Sequence, residues 1–223
     1  MNKVILVVAA HSDDEAIGCS GTMAKHVSAG DQVHVLFMTD GVGSRKGIAR
    51  EVNNRLSSAE KAAKILGVAS MQNLSFPDNQ MDTVPLLDIT QAIEKKIVGI
   101  QPNVIYTHHV GDLNIDHQVT HRAVMTACRP QPGSCVKEIY AFEVLSSTEW
   151  QTPGLMPFVP NVFVDISDYL EKKVATINAY CEEMREIPHS RSIEHLIALA
   201  KHRGYSVGVG AAEAFMLIRG IQQ

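Results

Sequence analysis

The sequence predicts an α/β fold of Rossmann-like type, with a mainly parallel sheet flanked by helices. Two observations predict it. Short apolar, β-branched runs alternate with longer stretches of helical spacing, which is the pattern of βαβ units. No repeat, low-complexity tract or long linker divides the chain, so the 223 residues are expected to form one domain.

The elements follow in order. Lys3 to Ala10 is apolar and ends at a polar cluster, so it reads as a fully buried strand. Glu15 to Ala29 has helical spacing, and Gly30 stands where a C-cap would be. Gln32 to Thr39 is a second strand, closed by a glycine-bearing stretch from Asp40 to Gly47 that reads as a mobile loop. Arg50 to Leu66 is a helix stopped by Gly67. A short strand at Asn73 to Phe76 leads into the turn Pro77-Asp78-Asn79, and Pro85 to Ile100 is the next helix. Asn103 to Thr107 is a strand, His108 to Asp116 a polar loop, and His117 to Arg129 a helix ended by Pro130 and Pro132. Glu138 to Leu145 is a strand, and Ser146 to Pro160 is irregular and carries the sole tryptophan, Trp150. Asn161 to Ile166 is a strand, Asp168 to Arg185 an amphipathic helix, and Ser192 to Arg203 a helix with Ser192 as N-cap. Ala211 to Arg219 fits either strand or helix.

Composition narrows the function. Hydrophobic residues make up 45%, charged residues 20%, and the net charge is -4. These are soluble globular values, and the mild acidity argues against a nucleic-acid surface, which needs a basic face. The Val4 to Ala10 run is too short to span a membrane and lacks a cleavage pattern, so neither a membrane span nor a signal peptide is expected. Cys19, Cys128, Cys135 and Cys181 form no C-x-x-C pair, which points away from a thiolate zinc site and toward reduced thiols in a cytoplasm. A homo-oligomer is compatible with the sequence, with Trp150 one residue able to fill an interface.

In parallel sheets ligands bind beyond the carboxyl ends of the strands. That places three polar stretches on one edge: His11 to Glu15, Asp40 to Gly47, and His108 to His117. The first puts one imidazole beside three carboxylates, Asp13, Asp14 and Glu15. Adjacent acids repel, and a divalent cation such as Zn²⁺ relieves that conflict by accepting mixed His and Asp ligands. Acids at a helix N-terminus are also common without a metal, and it is His11 at the strand end that favours the ion. The third stretch can supply a further ligand, His117, with Asp116 as a carboxylate able to orient an imidazole. His121 lies one turn after His117, but the glutamate that a metalloprotease pattern needs beside the first histidine is missing, so His121 reads as structural or surface. Three ligands and an open position leave room for a water, with an adjacent carboxylate as its base. Spacing does not decide which of Asp13 and Asp14 is ligand and which is base.

Ala10-His11-Ser12-Asp13-Asp14-Glu15, with Gly18 to Thr22 following, resembles the A-H-P-D-D-E…G-G-T signature of the LmbE-like, or PIG-L, deacetylase family. Asn114-Ile115-Asp116-His117 resembles its H-x-D-H motif, Arg55 to Gly67 its R-x-x-E-A helix, Phe76-Pro77-Asp78 its F-P-D turn, and Ala212-Glu213-Ala214-Phe215 its A-E-A-F segment. The resemblance implies a zinc-dependent N-deacetylase acting on an N-acetylated amino sugar or its nucleotide or glycan-precursor conjugate, with another divalent metal as the alternative to zinc. It implies His11, Asp14 and His117 as metal ligands, Asp13 as the base, and Arg55 near the substrate's polar groups. Three departures stand out: Ser12 replaces the usual proline, Ser58 the usual glutamate, and Asn114 a histidine that assists the oxyanion or leaving amine. Asn114 can donate a hydrogen bond but cannot act as an acid near neutral pH, so either it only stabilises the oxyanion or another group, such as His109 or Asp112, shares the role. Arg191, in the Pro188 to Ser192 loop, is a candidate contact for a phosphate or carboxylate. The rival expectations are a non-catalytic metal- or sugar-binding protein on the same scaffold and a metal-dependent amidase of another substrate.

Overall fold

The structure is a computed structural model that describes residues 2–39, 41 and 49–222. The expected loop from Asp40 to Gly47 lies, apart from Gly41, outside the described residues. Among the described residues a seven-stranded sheet runs in the order β3-β2-β1-β4-β5-β7-β6. Its strands are β1 (Val4–Ala9), β2 (Gln32–Thr39), β3 (Ser70–Phe76), β4 (Val104–His108), β5 (Glu138–Phe142), β6 (Val162–Asp165) and β7 (Ala212–Gly220). The pairings from β3 through β5 are parallel, whereas β7 lies antiparallel to both β5 and β6. The ambiguous tail is therefore a strand. Six α-helices flank the sheet: α1 (Asp14–Ser28), α2 (Ala49–Leu66), α3 (Leu86–Ile100), α4 (Ile115–Ala127), α5 (Leu170–Asn178) and α6 (Ile193–Tyr205).

Side-chain alternation explains the continuous apolar run of β1. Ile5, Val7 and Ala9 pack in one core with residues of α1, α2 and α6, while Leu6 and Val8 pack in the other with residues of α3 and α4. Both faces are buried, so no polar alternation is left to see.

Two expectations need correction. The amphipathic stretch Asp168 to Arg185 is not one helix: α5 ends at Asn178, and single 3₁₀ turns lie at Ser167–Tyr169 and Cys181–Glu183. The break lets Tyr180 turn inward, where its hydroxyl meets Glu15. His108, read as a loop residue, instead ends β4, because its strand stays in register with Phe142 of β5.

Helix α1 bends at Cys19, whose φ of -149° is non-helical. The bend frees backbone groups on both sides, and one buried ion pair satisfies them. Lys173 Nζ donates to the carbonyls of Ala16 (3.2 Å) and Ile17 (2.7 Å) and to Glu213 Oε1 (2.6 Å). Glu213 accepts from the amides of Gly21 (3.0 Å) and Thr22 (2.7 Å). The family-like segment Ala212 to Phe215 thus caps the second half of the helix that begins with Asp14.

Candidate metal centre

The strand order reverses direction between β1 and β4, and the crevice at that point holds the polar clusters that follow these two strands. Neighbouring strands pin the end of β1. Thr39 donates to the Ala10 carbonyl through both its amide and its hydroxyl, at 3.0 Å each. The Ala10 amide donates to His108 Nε2 at 2.8 Å. The chain then turns sharply. Asp13 has φ 129° and ψ -27°, a costly conformation for a residue with a Cβ, of a kind that clusters at functional sites. The turn sends the three acids to three different partners.

Asp14 points at two imidazoles. Its Oδ2 lies 3.2 Å from His11 Nδ1 and 3.2 Å from His117 Nε2, and those two nitrogens are 3.3 Å apart. All three residues are buried. Ligand atoms held about 2.0–2.1 Å from a tetrahedral zinc are about 3.3–3.4 Å apart, so this triangle has the right size for one ion. Asp14 Oδ1 is buried and has no hydrogen-bond partner. Burial drives the Asp14 carboxyl up, but His117, His108 and His11 outweigh it and hold the group well below the usual carboxylate range. Burial lowers His117, yet Asp14 and Asp112 push it up to about 9. The site thus already prefers charge separation, which a cation would replace.

The far nitrogen of each imidazole has its own carboxylate. His11 Nε2 stands 3.2 Å from Asp116 and 3.2 Å from Asp78. Asp116 also accepts from the amides of Asn79 (2.6 Å) and Met81 (3.0 Å), which ties the Pro77-Asp78-Asn79 turn to the site. His117 Nδ1 stands 3.1 Å from Asp112 Oδ1. Asp116 therefore serves His11, across the crevice, rather than the adjacent His117.

Asp13 lies beside this triangle between two guanidiniums. Arg191 Nη1 is 2.7 Å from its Oδ2, and Arg55 Nη2 is 3.5 Å away. Burial pushes the Asp13 carboxyl up, Arg191 and Arg55 pull it down, and the balance stays above the ordinary value. Arg55 also bonds to the carbonyls of Ser12 and Gly41. Glu15 turns the other way: it accepts from the Asp13 amide (3.0 Å) and the Tyr180 hydroxyl (2.7 Å), bracing the strained residue from behind.

The remaining expected residues lie at the rim or beyond it. Asn114 is the N-cap of α4: its Oδ1 accepts from the Asp116 amide at 2.8 Å, and its Nδ2 donates to Asn79 Oδ1 at 3.1 Å. His109 turns away, with Nε2 2.6 Å from the Met156 carbonyl. His121 donates from the helix interior to the His108 carbonyl, with its Nδ1 at 2.8 Å. Sequence reasoning missed His108, stacked 3.9 Å from His117 between ring centroids, and the Ser146 to Glu149 segment. Asp78 carried a signal in the Phe76-Pro77-Asp78 turn, but its part in the site did not.

A family model described as "PIG-L: GlcNAc-PI de-N-acetylase" matches residues 6–128, more than half of the chain. The chain belongs to the PIG-L family. "Uncharacterized deacetylase YaiS" of Escherichia coli K12 is 29% identical over 80% of this chain and 90% of its own. A 4-oxalmesaconate hydratase of Pseudomonas putida is 27% identical over 99% of this chain and 88% of its own. The solved structure of N,N'-diacetylchitobiose deacetylase from Pyrococcus horikoshii, complexed with its inhibitor MPG, superposes with a TM-score of 0.80 at 21% identity, covering 98% of this chain and 84% of that one. The fold and the family thus agree with the expectation drawn from the motifs. No helix among the described residues is long and apolar enough to cross a membrane.

Proposed function

We propose that this PIG-L chain is a metal-dependent hydrolase that removes the acetyl group from an N-acetylated amino sugar or its conjugate, releasing acetate. The observation that carries the proposal is the buried triangle of His11, Asp14 and His117 with Asp13 beside it. Two imidazoles and one carboxylate are a donor set suited to Zn²⁺, and other divalent ions accept the same donors. When bound, the ion supplies Lewis acidity to the acetyl carbonyl and acidifies the attacking water.

The chain's own residues do the rest. Asp13 takes the water's proton, because it is the one acid at the triangle not directed at the imidazoles. Asn114 has no titrating proton, His109 Nε2 is held at the Met156 carbonyl, and Asp112 faces His117 and the hydroxyls of Ser147 and Thr148. The proton for the leaving amine therefore returns from Asp13, which acts as base and then as acid. Arg191 and Arg55 hold Asp13 in place and offer their remaining N–H groups to substrate oxygens. Asn114 Nδ2, at the mouth of α4, is a further donor for the oxyanion.

The names of the family and of the Pyrococcus horikoshii enzyme support acetylated sugars as the substrate class. One observation favours a second reading. Two guanidiniums at the base suit an anionic substrate, and a hydratase relative exists. Acetate release from N-acetylglucosamine, diacetylchitobiose and UDP-N-acetylglucosamine, measured with and without chelator, tests the first reading. Release from at least one of them is expected, lost with chelator and lowered ~10²–10⁴-fold in Asp13→Asn. No release from any, with hydration of an unsaturated dicarboxylate instead, would favour the second.

A further inference from the structure

We propose that Asp112 is the positioning residue of His117, and that Ser147 and Thr148 form a brace that fixes Asp112. This rests on the metal reading above and concerns how the third ligand is aimed. Asp112 is 1% exposed. Its Oδ1 accepts from the Ser147 hydroxyl and from the Asn114 amide (2.9 Å), its Oδ2 accepts from the Thr148 hydroxyl (2.6 Å), and His117 Nδ1 stands 3.1 Å from Oδ1. Thr148 Oγ1 accepts from the Val144 amide at 2.8 Å, so its own proton is directed to Asp112. Every partner of Asp112 is a donor, which requires a carboxylate rather than an amide.

With Asp112 Oδ1 3.1 Å from Nδ1, the brace favours a proton on that nitrogen and leaves Nε2 facing Asp14 and His11, where a cation would take its lone pair. A carboxylate on the far nitrogen of a ligand imidazole sets its tautomer and raises its basicity. The same segment continues the role next door. Ser146 Oγ meets Arg191 Nε at 2.6 Å, and Glu149 accepts from Ser190 in the loop that carries Arg191. A Ser-Ser-Thr-Glu run that reads as irregular loop therefore grips both the metal side and the proton-transfer side of the site.

Zinc affinity, by competition with a chromogenic chelator, tests the proposal, with the visible absorption of the cobalt-loaded protein as a spectroscopic readout of ligand geometry. Asp112→Asn is expected to weaken zinc ~10–100-fold and to shift the cobalt bands. Ser147→Ala is expected to move both in the same direction by less, and it carries the test if Asp112→Asn does not fold. Ser146→Ala, which touches Arg191 and not Asp112, is expected to leave zinc affinity unchanged. Wild-type affinity and unshifted bands in both Asp112→Asn and Ser147→Ala would overturn the proposal alone. Failure of the wild-type protein to bind zinc or cobalt would overturn the metal reading and the proposal with it.

Discussion

Replacing Glu213 by Gln should destabilise the protein by about 3–5 kcal/mol, the cost of leaving one member of a buried ion pair without its partner. Both side chains of the Lys173–Glu213 pair are 4% exposed, so water cannot compensate. The carboxylate takes three donors, namely Lys173 Nζ and the amides of Gly21 and Thr22. A Gln oxygen can take part of that load, but its NH₂ faces donors. The total stability of a domain this size is about 5–15 kcal/mol, so the loss is a large fraction of it. Urea unfolding followed by circular dichroism measures it, with an unchanged m-value expected. Adding Lys173→Met should recover part of the loss, because it removes the stranded ammonium. A cost below ~1 kcal/mol for Glu213→Gln, or strict additivity in the double variant, would refute the idea that this pair holds the bend of α1.

Further outcomes follow from the same geometry. The His117 imidazole is raised from 6.5 to about 9 in the metal-free protein. Its contribution to stability is complete below 6.5 and is lost as pH rises through about 9, so the melting temperature in chelator should fall across that window. Zinc needs the neutral ring, so its affinity should rise across the same window by about tenfold per pH unit for each proton displaced. A flat zinc affinity between pH 7 and 9 would contradict this. A Cβ at Gly18 would stand 2.5 Å from the Phe142 ring, whereas one at Gly99 meets nothing within 4 Å. Gly18→Ala should therefore cost about 1–3 kcal/mol, and Gly99→Ala, inside α3, should gain about 0.5–1 kcal/mol, both read by urea unfolding.

Local chemistry made much of this legible. Strand β2 has the bounds its β-branched run gave it, and the clusters that follow β1 and β4 do meet at one edge, because a parallel sheet leaves them no other place. His11, Asp14 and His117 lie within 3.3 Å of one another, and Asp13 separates from them through a backbone turn that no spacing rule reveals. What stayed hidden depends on distant partners. Lys173 looked like the polar face of an amphipathic helix, since its acid lies forty positions away. Tyr180 sat inside an apparently continuous helical pattern, and the Glu15 carboxylate that its hydroxyl meets past the helix end lies 165 positions away. Ser147 and Thr148 carry no periodic signal at all. Hydroxyls acquire meaning only from the group that accepts their protons, here Asp112.

The most direct test of the central claim is zinc-edge X-ray absorption of the loaded protein, wild type beside His117→Ala. One tightly held ion is expected, with two imidazoles and one carboxylate among its nitrogen and oxygen neighbours at about 2.0–2.1 Å, and with one imidazole lost in the variant. A spectrum lacking imidazole scattering, or one that His117→Ala leaves unchanged, would contradict it.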